Sequence, residues 1–411
     1  MTSSKVRKMS DKKSEEMLDS IFDRALSGKH ILNDNHVLSS EYIPEKLPFR
    51  EKQIVSVGQT LAPLLKGMKC SNLLLYGKTG TGKTVVARYV IDRLAQKAHS
   101  NNMKIRVAYS NARVSRTSYR VLTDLANSVD LSIPFTGLSI GEVLQRIVNK
   151  ISQDGYFVVF VLDEIDYLVK THSDNLLYEL TRSSDRLSPG FLCLVGISND
   201  LQFKDYLDPR VLSSLSEEEL VFPPYTAEEI KSILLQRAEM AFTGGITPTA
   251  AINLCAALAG SEHGDARRAV DLLRISAEVA EREGAEQLEE KHVRIAVQKI
   301  ERDRVNDALS SLPLQAKVVL LSILRCGDDD SSCSTGTVFE KYHNLCQKIG
   351  IEVLTQRRVS GLLSELDLLG LTSSSVVSSG RYGRTKKIHS SIPIQLVHEI
   401  FSEDPVLTPI L

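Results

Sequence analysis

The chain has 411 residues, 42% of them hydrophobic and 25% charged, with 50 Lys plus Arg against 51 Asp plus Glu. Those proportions exclude a disordered chain, a collagen-like repeat and a disulfide-stapled miniprotein, and the length points to about two to four domains. A formal net charge of -1 means that any contact with nucleic acid must come from local basic patches.

No apolar run approaches the roughly 18 residues of a membrane span; the longest, Tyr156 to Leu162, suits a buried strand. Met1 to Ser20 is polar and charged, without the apolar stretch of a secretory signal, so a cytoplasmic protein with no membrane partner is expected. Six cysteines occur, none in a Cys-x-x-Cys pair. Cys326, Cys333, His343 and Cys346 lie close together in sequence, but their spacing fits no common zinc module, and they read as free thiols.

In chain order, residues 1–41 begin with Lys5, Arg7, Lys8, Lys12 and Lys13 against Asp11 alone, a solvated basic tail, followed by a candidate helix from Glu15 to Leu26. Two prolines between Tyr42 and Arg50 exclude regular helix there. Glu51 to Met68 is apolar-periodic and reads as a helix. From Asn72 to Phe222 strands at Asn72–Tyr76, Ile105–Tyr109, Phe157–Leu162 and Leu192–Ile197 alternate with helices at Lys83–Ala98, Ser118–Ser128 and Ile140–Ser152. Continuous apolar strands separated by helices indicate an α/β domain with a parallel sheet covered on both faces. Ala227 to about Ile300 is helical throughout, and the chain is helical again from Asp303. A Ser- and Gly-rich stretch, Thr372 to Gly383, between short apolar runs signals a hairpin. The expected domains are 1–41 (tail and helix), 42–225 (nucleotide-binding α/β), 226–300 (helical lid) and 301–411.

Gly77-Lys-Thr-Gly-Thr-Gly-Lys83-Thr84 matches the phosphate-binding loop pattern in full, between a predicted strand and a predicted helix. Its glycines let backbone N–H groups turn around phosphate oxygens, and the helix N-terminus adds positive charge. Lys78, Thr79, Gly80, Thr81 and Gly82 form the cradle. Lys83 can reach the β- and γ-phosphates, and the Thr84 hydroxyl can ligate Mg²⁺. The apolar strand Phe157 to Leu162 delivers Asp163 and Glu164 to its C-terminal edge. Asp163 suits Mg²⁺, and Glu164 suits orienting or deprotonating an attacking water. Asp166 reads as structural or solvent-facing. A further strand ends at Ser198-Asn199-Asp200, where Asn199 can position the water.

This order of motifs, followed by a helical domain carrying Gly264-Asp-Ala-Arg267, resembles an AAA+ ATPase. In that superfamily the lid returns an arginine to the nucleotide. Arg267 matches the position; Arg268 is its neighbour, and a helix presents only one of the two to a given site. Tyr42-Ile-Pro-x-x-Leu-Pro-Phe-Arg-Glu51, Leu207-Asp-Pro-Arg-Val211, Glu219-Leu-Val-Phe-Pro-Pro-Tyr225 and Gly264-Asp-Ala-Arg-Arg-Ala-Val-Asp-Leu-Leu-Arg274 narrow the resemblance to the archaeal replication initiators, relatives of the large subunit of the eukaryotic origin recognition complex. The similarity runs from about Tyr42 to the C-terminus.

The resemblance implies that Ile43 and Pro44 pack on adenine with Arg50 close by, and that Tyr225 and Arg237 touch the nucleotide. Tyr225 also reads as a core aromatic, and Arg237 as an exposed helix arginine. It implies that an initiator insertion, about 113–151, meets DNA, with Arg113, Arg116 and Arg120 as basic candidates. ATP or ADP with Mg²⁺ is the implied cofactor. Implied partners are duplex origin DNA, the replicative minichromosome maintenance helicase and further initiator copies, in an archaeal, nucleoid-associated setting. Ser214 stands where some members carry a second arginine acting on a neighbour's nucleotide; Arg210 is left as a candidate finger or a structural ion pair.

Residues 303–411 carry 11 Lys plus Arg and 12 Asp plus Glu, yet Arg357 to His389 holds six basic residues against Glu365 and Asp367 alone. Val353 to Leu369 has helical apolar spacing through Val359, Leu362, Leu363 and Leu366, and Gln356, Arg357 and Arg358 stand in its first turn. That is the end that enters a major groove. A basic hairpin follows with Arg381, Tyr382, Arg384, Lys386 and Lys387. The pattern reads as a winged helix whose recognition helix meets base edges or phosphates and whose wing meets phosphates or the minor groove. Two rival readings use the same motifs: a signalling ATPase with a protein-binding winged helix, and a clamp-loader or branch-migration motor.

Overall fold

The computed structural model describes residues 31–39, 42–215, 217–243, 248–326, 333–378 and 384–411. The expected helix at Glu15 to Leu26 and the wing residues Arg381 and Tyr382 lie outside them. The chain divides into two compact units between Ile295 and Ala296.

The first unit is built on five parallel strands, β1 (Asn72–Tyr76), β2 (Ile105–Asn111), β3 (Phe157–Asp163), β4 (Phe191–Ser198) and β5 (Glu217–Val221), in the order β2-β3-β4-β1-β5. The alternation of strand side chains divides them between two cores. Leu74, Val158, Phe160, Leu162, Leu192 and Leu194 face one side, and Leu73, Leu75, Val159, Val161, Cys193 and Val195 the other. The second face is covered by α1 (Glu51–Leu61) and α2 (Lys83–Ser100) through Val57, Leu61, Val86, Val90 and Leu94.

Helix α1 stops short of the expected Met68. Pro63 has no N–H for the helical ladder, so a 3-10 turn, Ala62–Lys66, follows, ended by Gly67 in the left-handed region. The first face carries the insertion between β2 and β3: α3 (Ala112–Ser115), α4 (Ser118–Ser128) and α5 (Ile140–Asp154). Both longer helices bury one stripe, Val121, Leu122 and Leu125 in α4 and Val143, Ile147 and Ile151 in α5. Phe135, in the loop between them, is 97% exposed.

Three helices of this domain, α6 (Ile165–His172), α7 (Asn175–Arg186) and α8 (Pro209–Leu215), and the strand β5 were not expected from sequence. Strand β5 is a sheet edge whose Glu217-Glu-Glu run gives no apolar alternation; its place is set by pairing to β1 from Asn72↔Glu217 to Tyr76↔Val221.

The lid region supplies α9 (Ala227–Ala241), α10 (Thr249–Glu262), α11 (Ala266–Glu283) and α12 (Glu290–Ser311). Helix α9 opens on a capping box between Thr226 and Glu229, which satisfies donors at both ends of the exchange. The boundary expected near residue 300 falls inside α12, which runs unbroken to Ser311.

The second unit contains α13 (Leu314–Leu324), β6 (Cys333–Ser334), α14 (Thr335–Ile349), α15 (Gln356–Leu368), β7 (Thr372–Ser378), β8 (Arg384–Ser390) and α16 (Ile394–Phe401). Its three-stranded sheet has the order β6-β8-β7 with antiparallel pairing. This helix, helix and hairpin arrangement is a winged helix. Helix α15 starts at Gln356, later than the expected Val353: Thr355 caps it, accepting from Arg358 N, and Leu354 N donates to Tyr342 Oη at 3.1 Å ahead of the helix. All six cysteines are free thiols, and Cys326, Cys333 and Cys346 pack in this unit's apolar core.

Candidate functional site

A cleft of about 620 Å³ opens at the C-terminal edge of the sheet, the edge where ligands bind in open α/β folds. Its floor is the loop between β1 and α2. Gly82 caps α2 at φ 90°, a backbone open to glycine, and a Cβ there would stand 2.8 Å from Tyr225 Oη. At Gly80 a Cβ would overlap Asp265 Oδ1 at 1.7 Å. Asp265 is the N-cap of α11, and Ala266 N donates to Gly80 O at 3.2 Å, so the lid helix begins directly against the loop.

Lys83 is 4% exposed, with Nζ donating to Gly77 O at 2.6 Å and Lys78 O at 2.7 Å. Burial pulls its pKa down to about 8, opposed by the charge of Asp163. An ammonium held this way is poised for anionic oxygens, which would raise its pKa again. Thr84 Oγ1 donates to Asp163 Oδ2 at 2.9 Å, and Tyr109 Oη donates to the same oxygen at 2.8 Å. Burial and the Asp163 carboxylate push the Tyr109 pKa up, so the phenol stays a donor. Glu164 N donates to Asp163 Oδ1 at 2.9 Å. Glu164 itself adopts φ 53°, a strained backbone for a residue with a side chain, and its carboxylate lies 3.9 Å from Arg113 Nη1. Asn199 lines the cleft, with its N–H directed to Asp166 Oδ1 at 3.3 Å. Asp166 also accepts from Ser198 Oγ at 3.2 Å, which makes it a tether of the β4 end.

The structure brings together most of the residues expected here. Thr79, Gly80, Gly82, Lys83 and Thr84 of the loop, Asp163, Glu164 and Asn199 of the strand ends, and Ile43, Pro44, Tyr225, Arg237 and Arg267 all line the cleft. Of the two neighbouring arginines on α11, Arg267 lines this cleft, while Arg268 donates to Glu262 Oε1 at 3.1 Å beside an adjoining cavity.

Three residues of the expected set are not among those lining this cleft. Lys78 lines that neighbouring cavity. Thr81 is fully buried, with its hydroxyl donating to Lys78 O at 2.9 Å. Arg50, expected near adenine, is buried behind the loop: Nε donates to Thr81 O at 2.9 Å, Nη2 to Pro223 O at 2.7 Å, and the guanidinium stacks 3.7 Å from the Tyr225 ring centre. Burial lowers its pKa. It braces the loop and does not line the cleft. Tyr109, Arg88 and Asn111 line the cleft without having been singled out. Their available signal was position: Tyr109 and Asn111 close β2, and Asn111 pairs with Asp163 across the sheet.

Arg210 pairs with Asp208 at 3.1 Å and is 80% exposed, and Ser214 Oγ lies 2.9 Å from Thr181 Oγ1. In the second unit Gln356, Arg357 and Arg358 are exposed on the first turn of α15, and Lys386 and Lys387 are exposed on β8. Arg384 begins β8, opposite Ser378.

No helix among the described residues is long and apolar enough to cross a membrane. An AAA domain model matches residues 66–202, a Cdc6 AAA+ ATPase-type lid domain residues 231–298, and a CDC6 C-terminal winged helix domain residues 307–400. The chain is 46% identical over 399 residues to an ORC1-type DNA replication protein of Pyrococcus abyssi, covering 96% of this chain and 95% of that protein. It is also similar to the solved Aeropyrum pernix ORC1 protein in complex with DNA, with a TM-score of 0.83 and 47% identity over 93% of this chain and 99% of that one. The Pyrobaculum aerophilum Cdc6 structure, at 24% identity and a TM-score of 0.59 over 91% of this chain and 99% of that one, shares the fold. An AAA+ core with a Cdc6-type lid and a winged helix, matched over nearly the full length by these relatives, places the chain in the family of ORC1-type DNA replication proteins.

Proposed function

We propose that this chain binds ATP in the sheet-edge cleft and duplex origin DNA through its winged helix, and that ATP acts mainly as a conformational ligand, with slow hydrolysis resetting the protein. The observation that carries the nucleotide half is the convergence of Lys83, Asp163 and the lid's Arg267 on one cleft. The DNA half is supported by exposed Gln356, Arg357 and Arg358 at the start of α15, by Lys386 and Lys387 on the wing, and by the Aeropyrum relative solved with DNA. Arg381, Tyr382 and Arg384 belong to the same proposed wing contact. The protein acts in the cytoplasm at the nucleoid, and its loaded partner is the replicative minichromosome maintenance helicase, with other initiator copies on the same DNA.

The residues fit Mg²⁺: a hydroxyl and a carboxylate, both hard oxygen donors, meet at 2.9 Å in Thr84 and Asp163. When bound with ATP the ion would offset charge on the phosphate oxygens. Lys83 binds those oxygens, Arg267 adds a second positive charge from the lid, and the loop glycines supply backbone N–H groups. Asn199 orients the attacking water and Glu164 accepts its proton. Ile43 and Pro44 form the apolar wall for the base.

The proposed division of labour is 1–41 for the tail, 42–225 for nucleotide with the insertion at 113–151, 226–300 for the lid and 301–411 for DNA, with the last boundary inside the helix that joins the two units near Ile295 and Ala296. Single-turnover hydrolysis with and without duplex DNA tests the switch. The expected result is turnover of about one per minute or slower, far below the ~10 s⁻¹ median of enzymes generally, and not driven into rapid cycling by DNA. Fast DNA-stimulated turnover would instead establish a motor.

A further inference from the structure

The segment that walls the cleft is strung between two arginines. At one end Arg50 ties it to the phosphate loop through Thr81 O and to the lid hinge through Pro223 O. At the other end Ile31 to Leu38 and Tyr42 are bound to the lid. The Ile31 and Leu32 amides donate to Glu281 Oε1 at 3.1 Å each, Asn33 N donates to Ala241 O at 2.7 Å, and Leu32 forms a bridge with Phe242. Arg237 of α9 closes this end. Its Nη1 donates to Val37 O at 2.8 Å and its Nη2 to Tyr42 O at 3.1 Å, and its guanidinium lies 4.6 Å from the Tyr42 ring centre. The Tyr42 ring is held in turn by an edge-on His36 at 5.5 Å and by its hydroxyl on Met240 Sδ at 3.9 Å. Ile43 and Pro44 follow immediately.

A guanidinium has five N–H donors in a fixed fork. Arg237 commits both of its Nη groups to backbone carbonyls, and Tyr42 stacks on it. Burial holds its pKa below the ordinary guanidinium value, as expected for a cation built into a wall. Two carbonyls five residues apart are thus fixed to one side chain of the lid. Ile43 and Pro44, next in the chain after Tyr42, are thereby tied to the lid, while Leu47 further along packs on the core of the sheet.

We infer that Arg237 is a positioning residue for the purine, not a phosphate contact: it holds the strap at Val37 and Tyr42 so that the apolar wall Ile43–Pro44 stands where a base can stack, and it couples base recognition to the lid. This rests on the reading of the cleft as a nucleotide site. The phosphate grip of Lys83 and Thr84 is built on separate elements, so base recognition and phosphate binding separate when Arg237 is removed.

The test is equilibrium binding of ATP, GTP and inorganic tripolyphosphate to the full chain as wild type, Arg237→Ala, Arg237→Lys and Tyr42→Leu. Arg237→Ala is expected to weaken ATP about tenfold, the scale of hydrogen bonds from a charged donor, to weaken GTP by a similar factor because an apolar wall stacks on either purine, and to leave tripolyphosphate within about twofold. Arg237→Lys, which keeps the charge and reaches one carbonyl, restores part of the loss, and Tyr42→Leu reproduces it in part. Equal losses for ATP and tripolyphosphate would make Arg237 a phosphate contact and overturn the inference. An unchanged ATP affinity would overturn it too. Should Arg237→Ala not fold, the Lys and Leu variants decide by the same criterion. Failure of the wild type to bind either ATP or tripolyphosphate would sink the nucleotide reading itself, whatever Arg237 does.

Discussion

In the nucleotide cleft Lys83 sits buried against two loop carbonyls, and Asp163 is held by Thr84, Tyr109 and the Glu164 amide. At the winged helix Gln356, Arg357, Arg358, Lys386 and Lys387 stand in solvent, with no ion pair found for them among the described residues. The contrast follows from the two targets. A triphosphate is small and must be met at fixed distances, so the fold orders its cations beforehand and carries the cost of desolvating Lys83. A DNA backbone is a long polyanion with condensed counterions; exposed, flexible cations exploit their release and need no such cage. Perturbation should therefore act through geometry and protonation in the cleft, and through salt at the winged helix.

The largest effect should come from Lys83→Ala, which removes the central cation of the cleft. ATP affinity is expected to fall about a hundredfold, with the thermal transition retained; an unchanged affinity would end the site assignment. Glu164→Gln should separate binding from chemistry: hydrolysis slower by about 10²–10⁴ at nearly constant ATP affinity, read by single turnover. On the other side of the comparison, Arg357→Ala with Arg358→Ala should weaken DNA across all sequences and lower the log–log salt slope by about 0.9 for each lost phosphate contact. Arg381→Ala with Arg384→Ala tests the wing in the same way. An unchanged slope would remove that element from the interface.

Proton linkage gives a smaller, signed effect. Lys83 has a pKa of about 8, below the usual lysine value. Between about 8 and about 10 the unfolded chain binds more protons, so this group's contribution to stability rises with pH there. ATP acts oppositely, because phosphate favours the charged amine. Binding should take up a proton above pH 8, and affinity should fall by up to about tenfold per pH unit, as calorimetry in buffers of different ionisation enthalpy would show. The smallest effect belongs to Arg113→Ala. Its ion pair with Glu164 is 3.9 Å long and 73% exposed on the arginine side, so folding stability should change by no more than about 1 kcal/mol in chemical denaturation.

Sequence legibility also differed between the two regions. The loop, β1, β3, β4 and their terminal residues were readable because glycine spacing and apolar runs are local. The winged helix was readable for the same reason, apart from its entry: Thr355 is a cap whose carbonyl and hydroxyl close the first turn, so Val353 and Leu354 do not belong to α15. Edge strand β5 was hidden by its glutamates, since only its register with β1 defines it. The contacts of Arg50 were not readable, because its partners, Thr81 O and Pro223 O, are backbone atoms 31 and 173 residues away. Tyr225 is a buried aromatic against Arg50 and also lines the cleft. Side chains that bind distant main chain leave no pattern in sequence.

The most direct test of the central claim is binding of the full chain to genomic duplex fragments across a salt series, with ATP, with ADP and without nucleotide. The expected result is salt-resistant selection of a few fragments, a linear salt slope set by the winged-helix cations, and a shift in affinity between ATP and ADP that Lys83→Ala abolishes. Weak binding that vanishes at moderate salt, with no preferred fragment and no response to nucleotide, would contradict it.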